Sequence, residues 1–598
     1  MIKKITHIIQ VSILIFNLSL LNIYANNPGD TIEKTQWFTD AKFGIFIHWN
    51  HISMIHKLIE EKGRIPGNDI GEKRKLPFEE MNKLIKEFSP DNFDADEWVK
   101  LYKQAGARYL TFTTYHSQIS MFDNPYTNYD IMSSRFKMDI TREIADATRD
   151  NGLKLFFYFG IGQPQWTPYP DGHKDINSPY YQYIYNLAEH LLTNYGKVDG
   201  VWWDGDHPYK SRNEELVNMA RKHQPHILMT NRLGREHGDF GTPEQVIGNF
   251  NLKEPWESCI PIEGINWHHY GGRDIKHLET CLKMLINCVG NGGNLLLNIS
   301  PQPDGNIQPE QKEVLVGMGK WLDKYGKGIY RTKGGPYISG KWGVSTRIDD
   351  RVYIYITQHQ EEGRLVLPSL PANVISYKLL TDGKCKMEQV SDEYVFILDK
   401  IASYPQVATI LELKLDKKLM NTPPIQSDNI TPSLTNDAKV LASSQKFSKT
   451  PGNAVVFHSD LDGVLKEIMR ERNSLTTAKE KNEFIARKEK QLGYTFAFAD
   501  RHYKKRYWMA DDSDKKPWIE IDMKKPVMFN QVQIVEHQNR TEEFEIQYFK
   551  KDEWITFYKG KKLNYFDLKC NPITTKKVRL LITRFEGGPP AIKIFDLF

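Results

Sequence analysis

Val198-Asp199-Gly200-Val201-Trp202-Trp203-Asp204-Gly205-Asp206 is a short apolar run that ends in an acid beside two indoles. Read as a strand, it delivers Asp204 at its carboxyl end with aromatic surface alongside, a setting that suits chemistry on a sugar ring. Taken alone, the stretch reads equally well as an N-cap aspartate with two core tryptophans.

Working outward, residues 43–48, 109–113, 155–159, 200–203, 226–230 and 294–299 read as strands, and 94–105, 140–151 and 181–195 as helices between them. This alternation of strand and helix over 30–335 predicts a (β/α)8-like catalytic barrel, irregular or incomplete in places. A doubly wound sheet is the competing fold, but no glycine-rich dinucleotide fingerprint follows the first strand. Beyond it, closely spaced strand patterns over 336–416 predict a β-sandwich, and residues 417–437, rich in Pro, Thr, Asn and Ser, a linker. Residues 438–598 are again β-patterned, apart from a charged helical insertion at 460–491. The expected fold class is therefore multidomain, an N-terminal barrel followed by two β-sandwiches.

Composition narrows the function. The 80 basic and 75 acidic residues leave a net charge of only +5, and no basic stripe is interleaved with aromatics, which argues against a nucleic-acid partner. The 13 Trp, 29 Tyr and 29 Phe suit sugar binding, and suit a tightly packed β-rich protein as well. Lys3 and Lys4 precede an apolar run broken by Gln10, Asn17 and Ser19, and Ile23-Tyr24-Ala25 offers a small-residue cleavage site. Residues 1–25 thus read as a cleaved signal peptide, with a periplasmic or secreted location and no stable membrane anchor. The five cysteines are odd in number and scattered, so neither a disulfide framework nor a metal cluster is expected, and no cofactor is called for.

Retaining hydrolysis of a glycosidic bond needs two carboxyls about 5–5.5 Å apart, one ionised and one held protonated. Asp204 is the candidate nucleophile. The candidate acids are Asp206, Glu254, Glu257 and Glu263, with Glu257 preferred because Trp256 lies beside it and an apolar neighbour keeps a carboxyl protonated. Arg232, at a predicted strand end, is placed to orient Asp204 or Glu257 through a charge-assisted bond. Trp49 and Trp202 read either as pocket lining or as barrel core.

Six blocks then follow in one order: Phe43-Gly-Ile-Phe-Ile-His48-Trp49, residues 88–98, Asp199-Gly-Val-Trp-Trp-Asp204-Gly205, Gly238-Asp-Phe-Gly-Thr-Pro-Glu-Gln245, Pro255-Trp-Glu-Ser258 and Asn291-Gly-Gly-Asn-Leu-Leu-Leu-Asn298. In that order they resemble α-L-fucosidases of glycoside hydrolase family 29, over residues 37–330. The resemblance implies a retaining exo-glycosidase acting on fucosylated oligosaccharides or glycoconjugates, with Asp204 as nucleophile, Glu257 as acid/base, and His48 and His116 holding sugar hydroxyls. Trp49, Trp202 and Arg232 complete the expected substrate contacts. The C-terminal strands resemble a discoidin or coagulation-factor type C module, which implies possible glycan binding there.

The chain departs from the family where Lys-His-His-Asp is usual: here stands Thr114-Tyr115-His116-Ser117, keeping only the second histidine. A Glu-Trp pair after the first strand is replaced by a Lys-, Glu- and Gly-rich stretch over 59–78. Each lost donor removes roughly 1–3 kcal/mol where a sugar hydroxyl is left unpaired. A weakly active carbohydrate-binding protein and a retaining glycosidase for a different sugar are therefore the competing functions.

Overall fold

The computed structural model describes residues 28–56, 78–116, 119–161, 176–205, 210–234, 236–272, 274–340, 342–357, 363–398, 407–427, 439–443, 508–536, 540–563 and 565–597. The expected signal peptide, the insertion at 460–491 and Asp206 lie outside the described residues.

Seven parallel strands form the first unit: β1 (Phe43–Ile47), β2 (Tyr109–His116), β3 (Lys154–Gly160), β4 (Gly200–Asp204), β5 (Leu228–Met229), β6 (Glu257–Pro261) and β7 (Asn294–Ile299). They pair in the order β5-β4-β3-β2-β1-β7-β6. Between the two outer strands runs an irregular segment, residues 240–244, bridged in parallel by Thr230 to Phe240, Gly241 to Trp256 and Glu244 to Cys259. Its backbone bonds, Asn231 N–H to Phe240 O at 3.0 Å and Cys259 N–H to Pro243 O at 3.0 Å, close the barrel without a regular eighth strand. The expected barrel fold holds, with its irregularity at this seam.

Local sequence explains the helices between strands. Asp94 caps Ala95–Gln104 by accepting from the Glu97 N–H, Asp139 caps Ile140–Asp150 through the Arg142 N–H, and Ser178 caps Pro179–Asn194, whose proline occupies the first turn. Such caps satisfy amide donors that have no partner inside the helix.

Inside the barrel, side chains alternate inward and outward, so every second residue of a strand fills the interior. On β4 the inward file is Gly200, Trp202, Asp204. A Cβ at Gly200 would lie 1.8 Å from the Phe156 ring, and one at Gly44 2.3 Å from the Tyr109 ring. Large rings thus face positions where only glycine fits, and Phe46, Tyr109, Phe156, Tyr158, Trp202 and Leu296 pack as one cluster.

In the second unit, a five-stranded sheet and the three-stranded sheet of Arg364–Pro368, Glu393–Leu398 and Cys385–Val390 share one core of Val352, Ile354, Leu365, Phe396 and Leu411. Two sheets on a common core make the expected sandwich. The strand Cys385–Val390 places Lys386, Glu388 and Gln389 among Cys385, Met387 and Val390. Further along, Trp518–Glu536 and Tyr565–Phe585 are long strands whose pairing shifts register between Asp522 and Val527. Both halves of the first strand, Ile519 and Ile521 as well as Val532 and Ile534, enter one core, so bent strands fold a single sheet around it.

Candidate active site

Asp204 closes β4 with 34% of its side chain exposed. Its Oδ1 accepts from Arg232 Nη1 at 2.7 Å and its Oδ2 from the Tyr158 hydroxyl at 2.6 Å. Both donors fix the carboxylate in orientation. Burial raises the Tyr158 hydroxyl well above an ordinary phenol and the Asp204 charge adds to this, so it remains a donor.

Arg232 does more than hold Asp204. Its Nη2 donates to Glu244 Oε2 at 3.0 Å, its Nε to Thr242 Oγ1 at 2.9 Å, and its guanidinium lies 4.5 Å from the Trp202 ring centroid. Burial pulls its pKa down, but the Asp204 and Glu244 charges outweigh that and hold it above the ordinary arginine value. One permanent cation therefore spans two carboxylates.

A wall of imidazoles stands beside this cluster. The ring centroids of His48 and His116 are 5.2 Å apart, those of His48 and His268 5.5 Å, and those of His116 and His268 5.0 Å with nearly parallel planes. Asn298 donates from Nδ2 to the Trp267 carbonyl, which leaves its Oδ1 to accept from His48 Nδ1 at 2.7 Å. His48 thus carries its proton on Nδ1, with Nε2 the acceptor of the neutral ring. Trp267 packs 4.9 Å from His48.

The expected acid Glu257 stands elsewhere. It opens β6, in register with Asn294 at the start of β7, so it lies at the amino ends of the parallel strands whereas Asp204 lies at the carboxyl ends. It has no exposed surface; its two oxygens accept from Trp202 Nε1 at 2.7 Å and the Tyr109 hydroxyl at 2.6 Å. A carboxyl walled off beneath Trp202 has no path to a leaving-group oxygen. Arg232 hydrogen-bonds Asp204 and Glu244 rather than Glu257.

The other candidates are equally displaced. Glu254 is exposed on the approach to β6, again at the amino ends. Glu263 follows β6 but is fully buried, accepting from the backbone N–H groups of Tyr270 and Gly272 and from Ser300 Oγ, which ties down the loop carrying Trp267 and His268. Trp49 is core rather than pocket: it is fully buried against Phe88, Phe93 and Trp98, with Nε1 bonded to the Gln302 carbonyl. Trp202, 2% exposed, is the platform beneath the cluster.

Burial lifts the Glu257 carboxyl to about 7, against the opposing hydrogen bonds from Tyr109 and Trp202. The folded chain then keeps a proton that the unfolded chain releases near the ordinary value of 4.5. Its contribution to stability is complete below that value and is lost as pH rises through about 7, at most about 3 kcal/mol. Glu257→Gln, which keeps both bonds, is expected to be more stable than wild type at pH 8 and not at pH 4.5. Equal differences in urea unfolding at the two pH values would refute this.

The α-L-fucosidase family model matches residues 24–327, half of the chain, and the F5/8 type C domain model matches residues 489–595. The chain belongs to the α-L-fucosidase family. It is 27% identical to plasma α-L-fucosidase of Pongo abelii over 59% of this chain and 83% of that protein. Among solved structures, α-L-fucosidase isoenzyme 1 of Paenibacillus thiaminolyticus is similar at TM-score 0.57 and 28% identity, covering 65% of this chain and all of that one. A Bacteroides thetaiotaomicron family 29 α-L-fucosidase trapped as a covalent intermediate with 2-fluoro-fucosyl fluoride is similar at TM-score 0.59 and 25% identity, covering 64% and 96%.

For this α-L-fucosidase family member, the altered Thr114-Tyr115-His116 block has a structural account. Thr114 is buried and donates to the Tyr158 carbonyl, and Tyr115 stacks on Phe159 at 5.0 Å, away from the imidazole wall. His268, from the loop after β6, occupies the place beside His116. Tyr158, Glu244, Trp267 and His268 were not singled out from the sequence. Glu244 stood inside the quoted 238–245 block, and its order alone was the available signal.

Proposed function

We propose that this α-L-fucosidase hydrolyses terminal α-L-fucosyl linkages of glycans or glycoconjugates, with Asp204 as nucleophile and Glu244 as acid/base. The observation that carries the reading is the Arg232 fork, which holds two partly exposed carboxylates on neighbouring nitrogens at the open end of the barrel. Retention by double displacement is the chemistry of this family, and the covalent intermediate of the Bacteroides enzyme supports it.

In the first step Asp204 forms an ester bond to the anomeric carbon as the glycosidic C–O bond breaks, and Glu244 gives its proton to the departing oxygen. Esterification neutralises Asp204 as Glu244 loses its proton, so the negative charge that faces Arg232 passes from Asp204 to Glu244. Glu244 then takes a proton from water, the water oxygen bonds to the anomeric carbon, and the Asp204 ester opens with the original configuration restored. His48, His116 and His268 hold sugar hydroxyls, His268 supplying the contact missing from the Thr114-Tyr115 block. Residues 1–25 support export to the periplasm or medium, and the C-terminal module supports a second glycan contact.

Proton NMR during hydrolysis of an aryl α-L-fucoside tests the reading. α-L-Fucose is expected to appear first and to mutarotate later; β-L-fucose first, or turnover only of a different aryl glycoside, would overturn it.

A further inference from the structure

Glu257 is a buried carboxyl that the chemistry above does not use, yet it is joined to that chemistry by an unbroken series of contacts. It accepts from Trp202 Nε1 at 2.7 Å and from Tyr109 at 2.6 Å, so the indole is pinned at its polar edge. On the faces of that indole rest the two groups that hold Asp204. Tyr158 stacks on it with centroids 5.9 Å apart and planes 25° from parallel, and the Arg232 guanidinium lies 4.5 Å from it. Tyr158 and Arg232 then donate to the two oxygens of Asp204.

An indole has a single polar donor, and the remaining contacts of Trp202 within the barrel, such as Phe46 at 5.2 Å, are apolar and carry no direction of their own. A carboxyl oxygen on that donor fixes the rotation of the ring, and with it the face on which the Arg232 guanidinium rests. We infer that Glu257 is a positioning residue for the nucleophile: through Trp202 it sets Arg232 and Tyr158, and through them the attack angle of Asp204. The inference rests on Asp204 being the nucleophile.

Three further features support action through geometry rather than through proton transfer. Glu257 has no exposed surface, lies at the opposite end of the strands from the substrate, and is separated from Asp204 by the whole Trp202 ring. A displacement of well under 1 Å at a nucleophile is enough to cost one or two powers of ten in rate.

The test compares Glu257→Leu and Glu257→Gln in two backgrounds; active sites in the wild-type background are counted by trapping with 2-fluoro-fucosyl fluoride, and folded enzyme in the Asp204→Gly background, which forms no ester, by its urea-unfolding amplitude, so that misfolded enzyme is not scored. In the wild-type background, Glu257→Leu is expected to lower kcat per trapped site by 10- to 100-fold with KM nearly unchanged, and Glu257→Gln, which keeps an acceptor for Trp202, to recover most of it. Trp202→Phe is expected to cost a similar factor, with Glu257→Leu adding nothing on top. In an Asp204→Gly background rescued by azide no nucleophile remains to be positioned, so Glu257→Leu is expected to leave the rescued rate within about twofold. Equal losses in both backgrounds, or multiplying losses with Trp202→Phe, would overturn the positioning role. An Asp204→Gly enzyme that turns over normally would instead remove the nucleophile assignment itself.

Discussion

Asp204→Gly is expected to lower kcat for an aryl α-L-fucoside by roughly 10⁴-fold, about 5 kcal/mol of transition-state stabilisation, because the covalent step has no other acceptor. The loss is specific: Arg232 keeps Glu244 and Thr242 as partners, so the fold around the fork stays in place. Azide fits the space left by the carboxylate and attacks the anomeric carbon from the same face. Rescue with β-L-fucosyl azide as product is therefore expected. A variant that retains a tenth of wild-type kcat, or one rescued to the α-azide, would show that another group attacks the sugar.

Glu244→Ala is expected to lower kcat by 10²- to 10⁴-fold for substrates with poor leaving groups, the range that general acid catalysis supplies. For a 2,4-dinitrophenyl fucoside, whose leaving group needs no proton, the first step survives and the glycosyl-enzyme accumulates. Azide then reacts with that intermediate and gives α-L-fucosyl azide, the opposite anomer to the one from Asp204→Gly. A uniform loss across leaving groups would assign Glu244 to structure and leave the acid to another carboxyl. Glu257→Gln is expected to show no such dependence.

The two carboxyls illustrate how far a sequence reaches. Asp204 was legible because it ends an apolar run whose period of two points Trp202 and Asp204 inward, and because five other blocks stand in register with it. Glu257 looked like an acid because a carboxyl shut off from water is pushed toward its protonated form; burial does raise it to about 7, while the Tyr109 and Trp202 donors pull the other way. Glu-Ser-Cys-Ile-Pro has no strand alternation and ends in proline, so it is absent from the strands that periodicity marks, yet it is the strand β6 itself. One register decides the outcome, since the first residue of a parallel barrel strand faces the closed end and the residue after the last faces the substrate.

Glu244 was hidden for the converse reason. Residues 240–244 lack strand pattern, yet their backbone bonds to β5 and β6 carry them through the barrel wall as its closing seam. Only the three-dimensional closure brings Glu244 onto the same guanidinium as Asp204. The imidazole wall is likewise assembled from β1, β2 and the loop after β6, segments more than 60 residues apart at the nearest.

The sequence by itself determined the architecture and the family and pointed to Asp204, because strand periodicity, capping residues and an ordered set of motifs are local properties that survive without coordinates. Tertiary structure alone decided which carboxyls share the Arg232 guanidinium, which tryptophan lies beneath them and which is core, and that His268 stacks beside His116. Those are questions of which end of the barrel a side chain occupies and whose hydrogen bonds it accepts, and both are set by packing between segments distant in the chain.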